Sequence, residues 1–308
     1  MEGKEEELKW FGQKVERAVD VPLKSIERLL PRFVREPFET NEYLDVILRR
    51  PFLKDSRTIP VAAVSRSYAL VQHVEIVNAL TKAIEASDIK TEPLKADLLL
   101  SEYGERMCLE VKIPKFDFNP GDGHDMAMMV TCINSVDKSC ALEVTMQWKR
   151  LVCMNGMMSA ERSNFRRIHH TAWLREKNIE EYLKKEFLAA PGDLSVYKKW
   201  REMPVTQKKI ASWADDVVNK AWGVHAAART CHIASTGFDG SIEDPFEKAL
   251  PHEKRVRSDI EVPGSCAPVK NVFHVSQILS WIASHRNTVE DRLTKTREIY
   301  GLISPLVK

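Results

Sequence analysis

Residues 126–147 place the tightest constraint on the fold. Apolar side chains alternate along two segments, 126–134 and 139–147, and the polar stretch SVDKS joins them. Period-two alternation puts one face of each segment inside and calls for a strand. A link this short suits antiparallel neighbours, because parallel strands need a long crossover. Two further strand segments, 94–101 and 106–113, precede them, with Gly104 between and the turn sequence NPGDG at 119–123 after. An antiparallel meander is the economical arrangement.

The rest of the chain reads as helix around that meander. Residues 58–68 predict a strand and a turn, and 69–87 follow a helical period through Leu70, Val74, Val77, Leu80 and Ile84. Upstream, Leu8, Phe11, Val15 and Val19 stand at helical spacing, and short helices fit at 23–30 and 40–49 between prolines. Downstream, helices are predicted at 160–167, 178–188, 194–201, 205–232 and 270–302. Glycines and prolines mark 237–268 as a loop or an ordered excursion. The last helix carries Val272, Val275, Leu279, Ile282, Val289, Leu293 and Tyr300 on one stripe, for the core or for a second copy of the chain. The expected class is α+β: an antiparallel sheet of four to five strands covered by helices, with a helical C-terminal half. Residues 1–57 would form a helical N-terminal extension and 58–308 a single domain.

Composition limits the function. A chain of 308 residues is long enough to need no disulfide staples. The net charge of +2 gives no global field to hold a polyanion, so any such site must be local. Six cysteines contain no CxxC pair, and the N-terminus MEGKEEELKW is acidic and polar. Reduced thiols and a cytoplasmic location are the expectation. No apolar run approaches the roughly 18–20 residues that span a bilayer, so no membrane partner is expected. Neither GxxxxGK[ST] nor GxGxxG occurs, and no cofactor is implied.

Local charge points to one segment. Between 145 and 175, Lys149, Arg150, Arg162, Arg166, Arg167 and Arg175 stand against Glu161 alone, a local net charge of +5. Trp148, Phe165 and Trp173 interleave with them, and His169 and His170 add donors. Cationic side chains neutralise phosphates while aromatic faces stack on splayed bases. Trp148, Lys149, Arg150, Arg162, Arg166, Arg167, His169, His170 and Trp173 are therefore the candidate nucleic-acid-binding residues, with single-stranded DNA the expected partner. The competing reading is a solvated basic face with its aromatics turned into the core. A metal site from His169, His170, Cys153 and the Cys231–His232 pair lacks any ligand spacing. The loop DFNPGDGHD has the wrong carboxylate order for calcium and reads as a hairpin turn. Cys153 followed by histidines has the outline of a thiol nucleophile, but its apolar neighbours suit a buried strand end.

Four segments together resemble a known family: NSVDKSCAL (134–142), KRLVCMNGM (149–157), RIHHTAW (167–173) and NVFHVSQILSWIASH (271–285). They are similar to the phage/plasmid-like proteins of domain-of-unknown-function family 932. The matching positions are Asn134, Ser135, Asp137, Ser139, Arg150, Cys153, Asn155, His170, Thr171, Asn271 and His285, with Tyr68, Val71 and His73 upstream. Lys138 replaces a frequent glycine, Gly156 a frequent threonine, and Gln277 and Ser280 the polar pattern of the C-terminal helix. The resemblance implies a mobile-element context and no established chemistry. The leading expectation is a non-enzymatic protein that binds or anneals single-stranded DNA. The alternatives are a protein-interaction factor, as inhibitor or assembly protein, and a metal-dependent hydrolase or nuclease.

Overall fold

The computed structural model describes residues 8–53, 55–90, 92–121, 123–150, 155–158, 166–168, 181, 184, 185, 187, 188 and 195–307, with 155–158 and 166–168 described by backbone alone. The chain divides into two compact units that exchange segments in sequence. The first comprises 1–116, 128–147 and 164–190, and the second 117–127, 148–163 and 191–308.

The expected α+β class holds, with more strands than the four or five anticipated. One sheet has eight, in the order β1 (Lys9–Trp10), β2 (Gln13–Pro22), β6 (Lys95–Ser101), β7 (Arg106–Phe118), β8 (Met126–Ser135), β9 (Leu142–Arg150), β10 (Asn155–Met158), and β11 (Arg166–Ile168) also pairs with β9. A separate three-stranded sheet is built from β3 (Phe33–Pro37), β4 (Leu44–Arg49) and β5 (Ile59–Ser65).

The helical N-terminal extension is overturned. Residues 13–22 are a strand on the edge of β6, with Val15 opposite Ser101 and Arg17 opposite Leu99. Phe11 and Gly12 both take positive φ, 45° and 80°, which is the twist of a two-residue hairpin loop. Apolar residues four apart fitted a helix by coincidence, while a waiting sheet edge and three valines favoured a strand. Residues 44–49 likewise form β4, not a helix: Asp45, Ile47 and Arg49 are buried in alternation. Residues 23–29 do turn helically, as a 3-10 segment.

In the first unit, α1 (His73–Glu85) buries Val74, Val77, Leu80 and Ile84 as its period predicts. A capping box at Gln72 and Glu75 starts it. Phe33, Ile47, Val64 and Tyr68 pack with Val136 into a small core under the three-stranded sheet.

In the second unit the expected 205–232 helix is broken. The element α2 (Gln207–Trp213) runs into a π-turn at 214–218, and Gly223 at φ 85° separates it from α3 (Val224–Thr236). The expected 270–302 helix is two, α4 (Val272–Ser284) and α5 (Val289–Val307). Most of their apolar stripe is buried inside the unit, Val272, Val275, Leu279, Ile282 and Val289 included. The excursion at 237–262 is an ordered ribbon. Its strands β12 (Phe238–Asp239) and β13 (Ile260–Glu261) pair antiparallel, and Ile242 bridges Val256 further out. Gly240 is needed there, because a Cβ would lie 2.1 Å from the Arg257 carbonyl oxygen across the ribbon.

Candidate functional site

The residues of the Asn-Ser-x-Asp-x-Ser turn meet in the first unit as a polar network that runs from buried Asn134 and Ser135 to exposed Ser139. Arg106, at the start of β7, donates to Asp137 Oδ2 from Nε and Nη2 at 2.9 and 2.6 Å and to Ser139 Oγ at 2.8 Å. Lys138 adopts φ 65°, the conformation for which glycine is the easier residue. Ser135 Oγ donates to the Cys140 carbonyl and accepts from its amide. Asn134 and His73 are both fully buried. Asn134 Nδ2 donates to Val71 O at 3.1 Å and to His73 Nδ1 at 2.9 Å, and His73 Nε2 contacts Gly104 O at 2.9 Å. Both ring nitrogens of His73 are therefore engaged, and the ring is held at both ends. Burial, followed by the Asp137 charge, pushes the Tyr68 hydroxyl above its usual range. These groups hold the turn against α1. Replacing Asn134 with Asp turns its donor into an acceptor facing a carbonyl and an imidazole nitrogen. The expected cost is about 1–3 kcal/mol in urea unfolding.

The structure redistributes the predicted interface. Trp148 is not a stacking platform: it is 1% exposed, with its ring edge-on to Phe118 (5.1 Å) and Tyr197 (6.5 Å) in the second unit. Arg150 is 2% exposed and lines a narrow cleft of that unit. Strand parity explains both. Trp148 and Arg150 share the face of Leu142, Val144 and Met146, and that face is core. Lys149 points the other way and is half-buried.

Arg166 and Arg167 lie on β11, which pairs antiparallel with β9. Arg166 stands opposite Val144 and Arg167 opposite Glu143. The expected 160–167 helix therefore gives way at its end to a strand, and its remainder lies outside the described residues. So do Arg162, His169, His170, Trp173 and Cys153.

A polar sheet face in the first unit was missed by sequence reasoning. Gln147 Nε2 donates to Thr131 Oγ1 at 2.9 Å, and Thr131 Oγ1 to Glu110 Oε1 at 3.4 Å. Thr131, Glu143, Thr145 and Gln147 are all buried. The signal was the run of polar residues at every second position of β9, normally read as a solvated face. Burying such a face requires partners for each group, which marks it as a specified surface rather than a solvent boundary.

Catalytic alternatives find little material among the described residues. No three His, Cys, Asp or Glu side chains gather there as a metal-binding group. Burial pushes the Cys132 thiol up to about 12, and burial with the Asp215 charge does the same for Cys231. Neither is a ready thiolate. No helix among the described residues is long and apolar enough to cross a membrane.

The family model described as Domain of unknown function (DUF932) matches residues 60–255, more than half of the chain. The chain belongs to this family. No curated protein and no solved structure matches it. The DUF932 match takes in the polar network, the buried sheet face and β11. Asn271 and His285 fall outside it. Both still have clear local roles: Asn271 caps α4 by accepting from the His274 amide at 2.9 Å. His285 ends that helix with its ring on Trp281 at 3.7 Å.

Proposed function

We propose that this DUF932 protein binds single-stranded nucleic acid, DNA in the first instance, without catalysing a reaction on it. The observation that carries the reading is β11: Arg166 and Arg167 are adjacent residues of a strand hydrogen-bonded to the central sheet. The pairing with β9 places the backbone of two basic residues of the +5 segment on the sheet, and cationic side chains neutralise phosphates. The surrounding sequence supplies Lys149, Arg162, His169, His170 and Trp173. Trp148 and Arg150 are no longer part of the interface. A mobile-element context and a cytoplasmic location belong to the same reading; none of the five described cysteines is in a disulfide.

The test is fluorescence anisotropy with a labelled oligothymidine at about 50 mM salt, repeated as salt is raised. Binding is expected to weaken linearly in the logarithm of salt concentration. The double change Arg166→Glu, Arg167→Glu is expected to weaken it at least about tenfold and to flatten the salt slope. Unmeasurable affinity at low salt, or an unaffected double variant, refutes the reading.

A protein-interaction role is the second reading. It is supported by Phe246, which is 92% exposed at the tip of the ordered ribbon in the second unit. The Asp244 carboxylate holds that tip by accepting from the Phe246 and Glu247 amides at 3.1 Å. A protein retained in pull-downs after nuclease treatment, and lost with Phe246→Ala, favours this role.

A further inference from the structure

The three-stranded sheet ends in two edges of unlike construction. On the β3 side the Gln72 side chain closes the backbone. Its Oε1 accepts from the Phe33 amide at 3.0 Å and its Nε2 donates to the Phe33 carbonyl at 2.9 Å. Further along that strand Pro37 has no N–H to offer. Devices of this kind keep an edge from pairing with a foreign strand.

The second half of β5 has no such cover. The Arg50 amide donates to Arg32 O at 2.9 Å and Leu44 O accepts from the Phe38 amide at 3.1 Å, so alternate residues from Leu44 to Arg50 turn their backbone toward β3. Asp45 and Ile47 turn toward β5, where their partners are Val64 and Ala62. Ala63, between those two, and Ser65 beyond them therefore point their backbone groups away from the sheet. The Ser65 carbonyl accepts from the Tyr68 amide at 3.0 Å. Among the described residues no backbone group bonds to the Ala63 N–H and C=O or to the Ser65 N–H. Pro60 and a bulge at Val61 blunt only the start of the strand.

Side chains and charge describe what fits there. Ala63 and Ser65 are small and exposed, and they lie beside the larger, half-buried Val46 and Leu44 of β4. That step has room for apolar side chains of an added strand. No residue of β5 is charged. Exposed arginines stand just beyond its two ends, Arg57, with 76% of its side chain in solvent, and Arg66. No carboxylate occurs from 56 to 74. Asp55 is held between Arg49 and Arg57, while Glu36 and Asp45 of the neighbouring strands face Arg50 at 4.0 Å and Arg35 at 3.4 Å.

We propose that β5 is a docking edge for an extended peptide segment of another protein, apolar at alternate positions and acidic at its ends, which joins the sheet as a fourth strand. Main-chain hydrogen bonds supply affinity in this mode, and alternate side chains supply selectivity. Charge favours this occupant over a second copy of the chain. Antiparallel self-pairing about Ala62 sets Arg66 one residue from the second copy's Arg57, and parallel pairing sets each arginine beside its own equivalent. The proposal gives the protein-interaction role a surface other than Phe246, and it does not depend on the nucleic-acid reading.

The experiment uses the full chain. A display library of random ten-residue peptides is selected on it, and enriched peptides are synthesised with a fluorophore for anisotropy. Alternating apolar residues flanked by Asp or Glu are expected. Ala63→Pro removes the outward N–H and no bond to β4, so it is expected to keep the circular dichroism spectrum and to weaken these peptides about tenfold. Peptides N-methylated at alternate residues probe the same contact without altering the protein: methyl groups along one edge are expected to abolish binding, and along the other to leave it. Arg66→Glu is expected to weaken acidic-ended peptides about threefold. Phe246→Ala, and Arg166→Glu with Arg167→Glu, are expected to leave peptide binding intact, which separates this edge from both surfaces proposed above. The proposal is overturned by the absence of any enriched peptide, or by binding that ignores both the Ala63 change and the N-methyl pattern. Displacement of the peptide by oligothymidine, or a dimer in sedimentation that Ala63→Pro dissolves, overturns it equally.

Discussion

Trp148→Ala is expected to destabilise the protein by about 3–5 kcal/mol and to leave nucleic-acid affinity per folded molecule unchanged. The side chain is fully enclosed, and its ring meets Phe118 and Tyr197 edge-on. Tyr197 in turn contacts Trp200 and Phe273, so the indole sits at one end of a connected aromatic cluster in the second unit. Removing it takes away both the largest apolar contribution there and the edge-to-face contacts. Trp148→Phe should recover more than half of the loss, because most of the volume and one edge-on contact survive. Chemical unfolding followed by near-ultraviolet circular dichroism measures both variants. An alanine variant with wild-type stability and weakened DNA binding would return Trp148 to the interface and sink the core assignment.

Asp239→Asn is expected to cost a similar amount, about 3–5 kcal/mol at neutral pH. Its carboxylate accepts from Arg229 Nε and Nη2 at 2.7 and 2.5 Å, from the Trp281 indole at 2.7 Å and from the Gly240 amide at 2.8 Å. This one group ties α3, the base of the ribbon and α4 together. An amide cannot accept from all four donors, and it leaves a guanidinium that is only 21% exposed without its counter-charge.

The same site predicts a pH dependence. Burial alone would raise the Asp239 carboxyl, but the Arg229 hydrogen bonds and charge, with Trp281 and Gly240, outweigh it and hold the group below its usual range. The unfolded chain therefore takes up this proton at a higher pH than the folded one. The stabilisation is complete above about pH 4, the unfolded carboxyl value, and is lost as pH falls through the lower folded value. His285, whose ring lies against Trp281, is held below its ordinary range chiefly by burial, so it also removes stability on the acid side, beginning below about pH 6.5. Wild-type unfolding midpoints should thus fall in two stages on acidification, and Asp239→Asn should show a smaller second stage, the remainder coming from carboxyls such as Asp55, which Arg57 and Arg49 also hold below the usual range. A variant with an unchanged acid profile would show that the carboxylate is not ionised in the folded state.

Much of the architecture was legible because it is written in local periods. Strands β6 to β9, α1 and the turn at 119–123 are set by alternation, helical repeat and turn residues within about ten positions of each other. The N-terminal strands were not legible, since Leu8, Phe11, Val15 and Val19 satisfy a helical spacing. Only the exposed edge of β6, some 80 residues away, makes the strand the better solution for 13–22. The same distinction runs through the candidate interface. Parity along β9 was available in the sequence and already excluded Trp148 and Arg150 from a shared surface with Lys149. Composition alone grouped all three because charge and aromatic counts carry no direction.

By itself, then, the sequence determined the α+β class, the family and the basic character of 145–175. Each of these depends on residue type and near neighbours. The tertiary structure decided which face of β9 is core, that both its faces are shielded from solvent, and that Arg166 and Arg167 join the sheet as a strand. It also made Arg150 the wall of a cleft closed by Gly264 and α4. Those outcomes depend on backbone partners and side chains that lie from about twenty to more than a hundred residues apart, whose meeting no local period encodes.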